Sequence, residues 1–114
     1  FYEPDAFERQ QHRDIDPPPY ARSVVYEATP DACRRVLGEA AGADIVVKAS
    51  GVGVFDDELT EGVLDRAAPH ALKVYWDVDA AATLEELGGA PDHPLRRRLA
   101  EFDLVLTYGG GPPV

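Results

Sequence analysis

Residues 43–53, Ala43-Asp44-Ile45-Val46-Val47-Lys48-Ala49-Ser50-Gly51-Val52-Gly53, decide the fold. Ile45-Val46-Val47 is short, β-branched and apolar without alternation, the pattern of a strand buried on both faces. It runs into small residues and glycines, as a tight strand-to-helix turn requires. On either side of it, Ser23–Tyr26, Leu72–Trp76 and Leu104–Thr107 share this character, and Phe1-Tyr2-Glu3 adds a partial strand at the start.

Helical patterns fill the gaps. Thr29 is placed to cap a helix to Ala41, with Pro30 in its first turn. Cys33, Val36, Leu37, Ala40 and Ala41 then form one apolar stripe, and Gly42 stops it. A second helix is expected after Phe55, capped by Asp56, with Leu59, Val63 and Ala67 inward and Pro69 as its end. Thr83–Leu87 makes a short helix, and Leu95, Leu99 and Phe102 another after the breakers Gly88-Gly89-Ala90-Pro91. Alternating strands and helices predict the α/β class: a Rossmann-like, three-layer αβα arrangement around a mostly parallel sheet. Ala43-Asp44-Ile45-Val46-Val47 and Phe102-Asp103-Leu104-Val105-Leu106 repeat one helix-to-strand loop chemistry.

The chain has 114 residues, enough for a single domain with a core of its own. Its net charge of −10 repels phosphate backbones and anionic membranes, so neither nucleic-acid binding nor membrane insertion is expected. The basic run Arg96-Arg97-Arg98 reads as the solvated face of a short helix. Cys33 stands alone, so no intrachain disulfide forms, and no apolar run nears the ~20 residues that span a bilayer. A cytoplasmic location is the expectation. Residues 4–22, with Pro17-Pro18-Pro19, read as a proline-rich surface loop.

In an open parallel sheet, ligands bind beyond the carboxyl ends of the strands. Three such ends have unusual composition: Lys48 to Gly53, Trp76 to Asp79, and Thr107 to Gly111. Gly51 and Gly53 begin a dinucleotide fingerprint, but Asp56 stands where its third glycine belongs. Asp56, Asp57 and Glu58 there oppose a phosphate. A close backbone approach to a neutral ligand such as a sugar fits these acids. Lys48, following a buried run, needs a carboxylate, and Asp77 or Asp79 on the next strand is the expected partner. The pair Asp77 and Asp79 suits general-base work on an acceptor hydroxyl better than metal binding. Trp76 can stack on a sugar ring. Ser50, Tyr108, Gly109 and Gly110 complete the candidate substrate-binding set. No metal site is expected, since His12, His70 and His93 lack ligand spacing. There is no P-loop, and Ser50 lacks a nucleophile elbow.

The stretches VVKASGVGVFDDELTEGVLD (46–65), VYWDVDAAATLEEL (74–87) and FDLVLTYGGGPPV (102–114) resemble the N-terminal domain of CgeB-like glycosyltransferases, which have the two-domain GT-B architecture. The lead-in FYEPDAFERQQHRDIDPPPYARSVVYEA (1–28) fits the same domain. Ala81 stands where that pattern usually has proline, and Pro112 where it has an acid. The resemblance implies that residues 1–114 form part of one Rossmann-like domain. A further strand would precede Phe1, and a second domain would bind the nucleotide-sugar donor. No cofactor is implied. The partners are then a nucleotide-sugar substrate, a sugar acceptor and the remainder of the polypeptide. Lacking a central strand, the piece is expected to be inactive and partly folded alone. A non-catalytic Rossmann- or flavodoxin-like binding module is the alternative, with an NAD-linked oxidoreductase fragment behind it.

Overall fold

The computed structural model describes residues 1–13, 15–51 and 53–108. Five strands appear: β1 (Tyr2–Asp5), β2 (Val24–Glu27), β3 (Ile45–Ala49), β4 (Leu72–Asp77) and β5 (Leu104–Thr107). They match the five apolar runs, with ends shifted by two residues at most. Four α-helices separate them: α1 (Pro30–Ala40), α2 (Asp56–Arg66), α3 (Ala80–Gly89) and α4 (Pro94–Arg98), the last continuing as a 3-10 turn over Leu99–Glu101.

Local chemistry explains most boundaries. The Thr29 hydroxyl accepts the Ala32 N–H at 3.3 Å, so α1 is capped as its sequence predicts. Asp56, by contrast, is the first residue of α2 and not its cap. Phe55 holds that place, at φ 65° and without a side-chain cap. Its ring packs against the core, which offsets the cost of the left-handed backbone. The acids Asp56, Asp57 and Glu58 then sit in the first turn, where the helix dipole favours them. The described residues of the 4–22 segment form a loop except for the last residues of β1 and a 3-10 turn at Arg9–His12.

Among the described residues all strand pairing is parallel, as expected, but it is divided between two sheets. β1 pairs with β2, and separately β3-β4-β5 form a three-stranded sheet in that order. Parallel strands joined through helices, as from β2 to β5, are those of a Rossmann-like fragment. One core joins them: Tyr26 of β2, Cys33, Val36 and Leu37 of α1, Val46 of β3, Val63 of α2, Tyr75 of β4, Leu95 and Phe102. The helices α1, α2 and α4 pack successively on one another over this core. Gly62 of α2 lets α1 approach closely, because a Cβ there would overlap the Leu37 side chain.

The expected third layer is not found among the described residues. In the β3-β4-β5 sheet, Val46, Tyr75 and the neighbouring polar residues face the helices. Ile45, Val47, Leu72, Trp76, Leu104 and Leu106 lie on the other face and are all exposed. Val74 sits among them, shielded by its neighbours.

Candidate functional site

The parallel pairing fixes where the strand ends fall. Ala49 lies opposite Trp76, and Asp77 opposite Thr107, so the carboxyl ends of β3, β4 and β5 share one rim. The Ser50 N–H donates to the Trp76 carbonyl at 2.7 Å, carrying the β3–β4 pairing just beyond Ala49. The sheet divides the candidate residues at this rim, because successive side chains alternate between faces.

On the helix-covered side is a polar network. Asp77 is 6% exposed, and its Oδ1 accepts from the Ser50 hydroxyl at 3.0 Å, the Thr83 hydroxyl at 2.8 Å and the Asp79 N–H at 3.3 Å. The Ser50 hydroxyl in turn accepts the Val78 N–H at 2.8 Å. One carboxylate thus ties the end of β3, the loop after β4 and the first turn of α3. Asp79 lies nearer solvent and caps α3, its Oδ1 accepting the Ala82 N–H at 3.2 Å.

Lys48 shares the covered face but not the expected partner. Its ammonium, 5% exposed, donates to Asp56 Oδ1 and to the Ala49 carbonyl, both at 2.7 Å. The reason is registry. Lys48 stands opposite Tyr75, with its ammonium 5.8 Å from that ring's centroid, while the first turn of α2 places Asp56 above the strand end. The acid that interrupts the glycine fingerprint is therefore the counter-ion of the buried lysine. Gly53 gives that carboxylate room, since a Cβ there would come within 3.1 Å of Asp56 Oδ1. Tyr75, unmarked in the sequence as a polar residue of this site, is central to it. Burial raises its hydroxyl well above the ordinary tyrosine value, and the Asp56 and Asp77 carboxylates add to the effect.

On the open side of the sheet, Trp76 and Tyr108 form an exposed aromatic pair, with ring centroids 6.0 Å apart and planes tilted by 60°. Gly51 is exposed, with open space where a side chain would stand. Gly109 and Gly110 lie outside the described residues. Two surface recesses, of about 320 and 280 Å³, lie elsewhere, one under the 4–22 loop and one between α1 and α2. Neither touches Ser50, Asp77 or Tyr108. Among the described residues, no three His, Cys, Asp or Glu side chains converge as a metal site would require, and no helix is long and apolar enough to cross a membrane.

Arg98 also departs from a purely solvated run. It donates to Asp65 on α2 at 2.7 Å and to Glu101 at 2.9 and 2.8 Å, fastening α4 to α2. These contacts hold the Asp65 and Glu101 carboxyls below their ordinary values.

Comparison with known proteins finds no matching family, no similar curated protein and no similar solved structure.

Proposed function

We infer that the chain is part of a glycosyltransferase that moves a sugar from a nucleotide-sugar donor to an acceptor, and that its rim forms the acceptor side of a cleft. The observation that carries this reading is the exposed Trp76–Tyr108 pair, set at the carboxyl ends of parallel strands. Aromatic rings at such a position offer flat apolar surfaces to the C–H faces of a sugar. The likeness of the three strand-end stretches to CgeB-like glycosyltransferases supplies the reaction class. Within this reading Asp79, exposed just past the end of β4 on the same rim, is the carboxylate open to an acceptor hydroxyl. Asp77 is a positioning residue, because its Oδ1 already accepts three hydrogen bonds. Lys48 is engaged with Asp56 and acts through the shape of the turn that includes Gly51 and Gly53. The nucleotide-sugar donor binds a second domain, and no cofactor is needed here.

The test uses the single tryptophan as its reporter. The chain is titrated at low micromolar concentration with glucose, galactose, N-acetylglucosamine, maltose, UDP-glucose and NAD. At least one saccharide changes Trp76 emission saturably in the millimolar range, and Tyr108→Ala removes the response. UDP-glucose and NAD give none beyond their own absorbance. NAD binding overturns the reading in favour of dinucleotide chemistry, and silence to every saccharide removes the acceptor role.

A second reading, a non-catalytic binding module of the same fold, is favoured by the structural use of both aspartates, one buried under hydrogen bonds and one capping a helix. It differs in requiring the 114 residues to be a self-sufficient folding unit. A sharp, cooperative thermal transition of a soluble monomer is its signature.

A further inference from the structure

His93 stands where α2, α3 and α4 meet, with its side chain 17% exposed. Its two ring nitrogens face groups of opposite kind. Nδ1 accepts the Leu95 N–H at 3.2 Å and so caps α4. Nε2 lies 3.2 Å from Glu86 Oε1 on α3 and 4.0 Å from Asp57 Oδ1 on α2. A donor facing Nδ1 and carboxylates facing Nε2 fit one tautomer, the neutral ring with its hydrogen on Nε2. Helix caps are ordinarily Ser, Thr, Asp or Asn, whose oxygens remain acceptors in mild acid. An imidazole nitrogen accepts only while it is unprotonated. Thr29 and Asp79 cap α1 and α3 in the ordinary way. Of the three side-chain caps among the described residues, only that of α4 is therefore one that a proton abolishes in mild acid. Pro94 adds to the dependence. It has no N–H, and the Arg97 N–H already reaches the His93 carbonyl, so Leu95 is the donor that the ring satisfies.

We propose that His93 is a proton-sensitive latch on α4. Taking up a proton turns Nδ1 from acceptor to donor. Two N–H groups then face each other, and the first turn of α4 opens. The ring itself is not released. Glu86 and Asp57 attract the imidazolium through its Nε2–H, so it stays with α2 and α3 while Leu95 is given up. The neighbouring helices set no cation against it: α3 has no basic residue, and the one in α2, Arg66, ends that helix. Within α4, Arg96 donates to the Leu87 carbonyl, Arg98 to Asp65 and Glu101, and Arg97 is exposed, as is Asp92 just before the ring. Leu95 belongs to the buried core, so opening this turn loosens the packing of the helix that precedes β5.

Nuclear magnetic resonance of the full chain between pH 8 and 5, the range in which histidines change charge, tests the proposal. Long-range proton–nitrogen spectra give the tautomer of His93, told apart from His12 and His70 by substitution. Amide exchange, taken relative to each residue's intrinsic rate, gives the protection of Leu95. At pH 8 the ring is expected to carry its hydrogen on Nε2. As the ring takes up a proton, Leu95 protection falls about fivefold, the population change of one lost cap, while Val36 in α1 keeps its protection. In His93→Asn, which caps without titrating, Leu95 protection does not follow pH, and His93→Ser replaces that variant if it fails to fold. Glu86→Gln moves the transitions of the ring and of Leu95 together to lower pH. A hydrogen on Nδ1 at pH 8, or a Leu95 amide unprotected there, overturns the proposal. So does a Leu95 amide unmoved as the ring titrates, an equal fall at Val36, or the same fall in His93→Asn.

Discussion

The two faces of the β3-β4-β5 sheet invert the usual distribution of polarity. The covered face carries Lys48, Tyr75 and Asp77, joined to Ser50, Asp56 and Thr83 by hydrogen bonds, beneath a helix layer. The uncovered face carries Ile45, Val47, Leu72, Leu104 and Leu106 in contact with water. The difference teaches what holds this unit together. On the covered side, a buried polar network with satisfied partners locks the strand ends and the first turns of two helices, and among the described residues no buried side-chain polar atom lacks a partner. On the uncovered side, apolar area is present but contributes little until something lies on it.

The sharpest way to break this contrast is to remove the network's centre. Asp77→Ala removes the shared acceptor of the half-buried Ser50 and Thr83 hydroxyls and of the Asp79 N–H. A fully buried group so deprived costs about 1–3 kcal/mol; these three are partly solvated and relax together, so the expected loss is roughly 2 kcal/mol. Val47→Ala, on the opposite face of the neighbouring strand, costs under about 1 kcal/mol because half of its side chain is already solvated. Urea titrations of both variants at submicromolar concentration check the ranking. Equal losses would show that the two faces contribute alike.

Much of this architecture was legible in the chain itself, and the gaps have physical causes. The five strands, the parallel order and the capped helix α1 follow from continuous apolar runs, from alternation of element types and from Thr29 with Pro30. Which face of the sheet is covered was not legible, because a run such as Ile45-Val46-Val47 is equally apolar on both sides. The partner of Lys48 was missed for a similar reason. Strand adjacency pointed to Asp77 or Asp79, whereas the turn into α2 returns Asp56 over the same strand end, eight residues along the chain. The division into two sheets left no local mark, since hydrogen-bond partners of a strand edge are not encoded within the strand. The DxD pair was visible as a pattern. Its use as a buried tie and a helix cap depended on Thr83, Ala82 and Ser50, which carry no distinctive spacing.

A smaller effect sharpens the account of the helix layer. Gly62→Ala adds a methyl where α1 and α2 approach, and that methyl overlaps Leu37, itself buried. Overpacking of this kind costs about 1–3 kcal/mol, against which alanine's better helix propensity returns about 1 kcal/mol. The net expectation is a loss of roughly 1 kcal/mol. Shortening the opposing side chain relieves the overlap, so the same substitution in a Leu37→Val background costs less. A double-mutant cycle by thermal denaturation measures the coupling, and strict additivity would place the helix contact elsewhere.

The mildest perturbation is alkaline pH, which leaves stability untouched under neutral conditions. Tyr26 and Tyr75 have hydroxyls raised above the ordinary value of 10.0, in both cases mainly by burial. For Tyr75, Asp56 and Asp77 add to the rise, whereas for Tyr26 the second contribution comes from Cys33. A raised folded-state value means the native protein holds these protons after the unfolded chain has released them. The associated stability is complete below pH 10 and is lost as pH rises through the folded values. Tyr26 and Tyr75 therefore ionise only as the protein unfolds. Spectrophotometric titration at 295 nm should show a late phase above pH 10 that coincides with loss of the circular dichroism signal. In Asp77→Asn, one of the two carboxylates near Tyr75 is neutral, so the late phase moves to lower pH through both a lower Tyr75 value and a weakened network. Absence of that late phase, with Tyr75 ionising ahead of any loss of the circular dichroism signal, would mean that the covered face is open to water, and the contrast between the two faces would vanish with it.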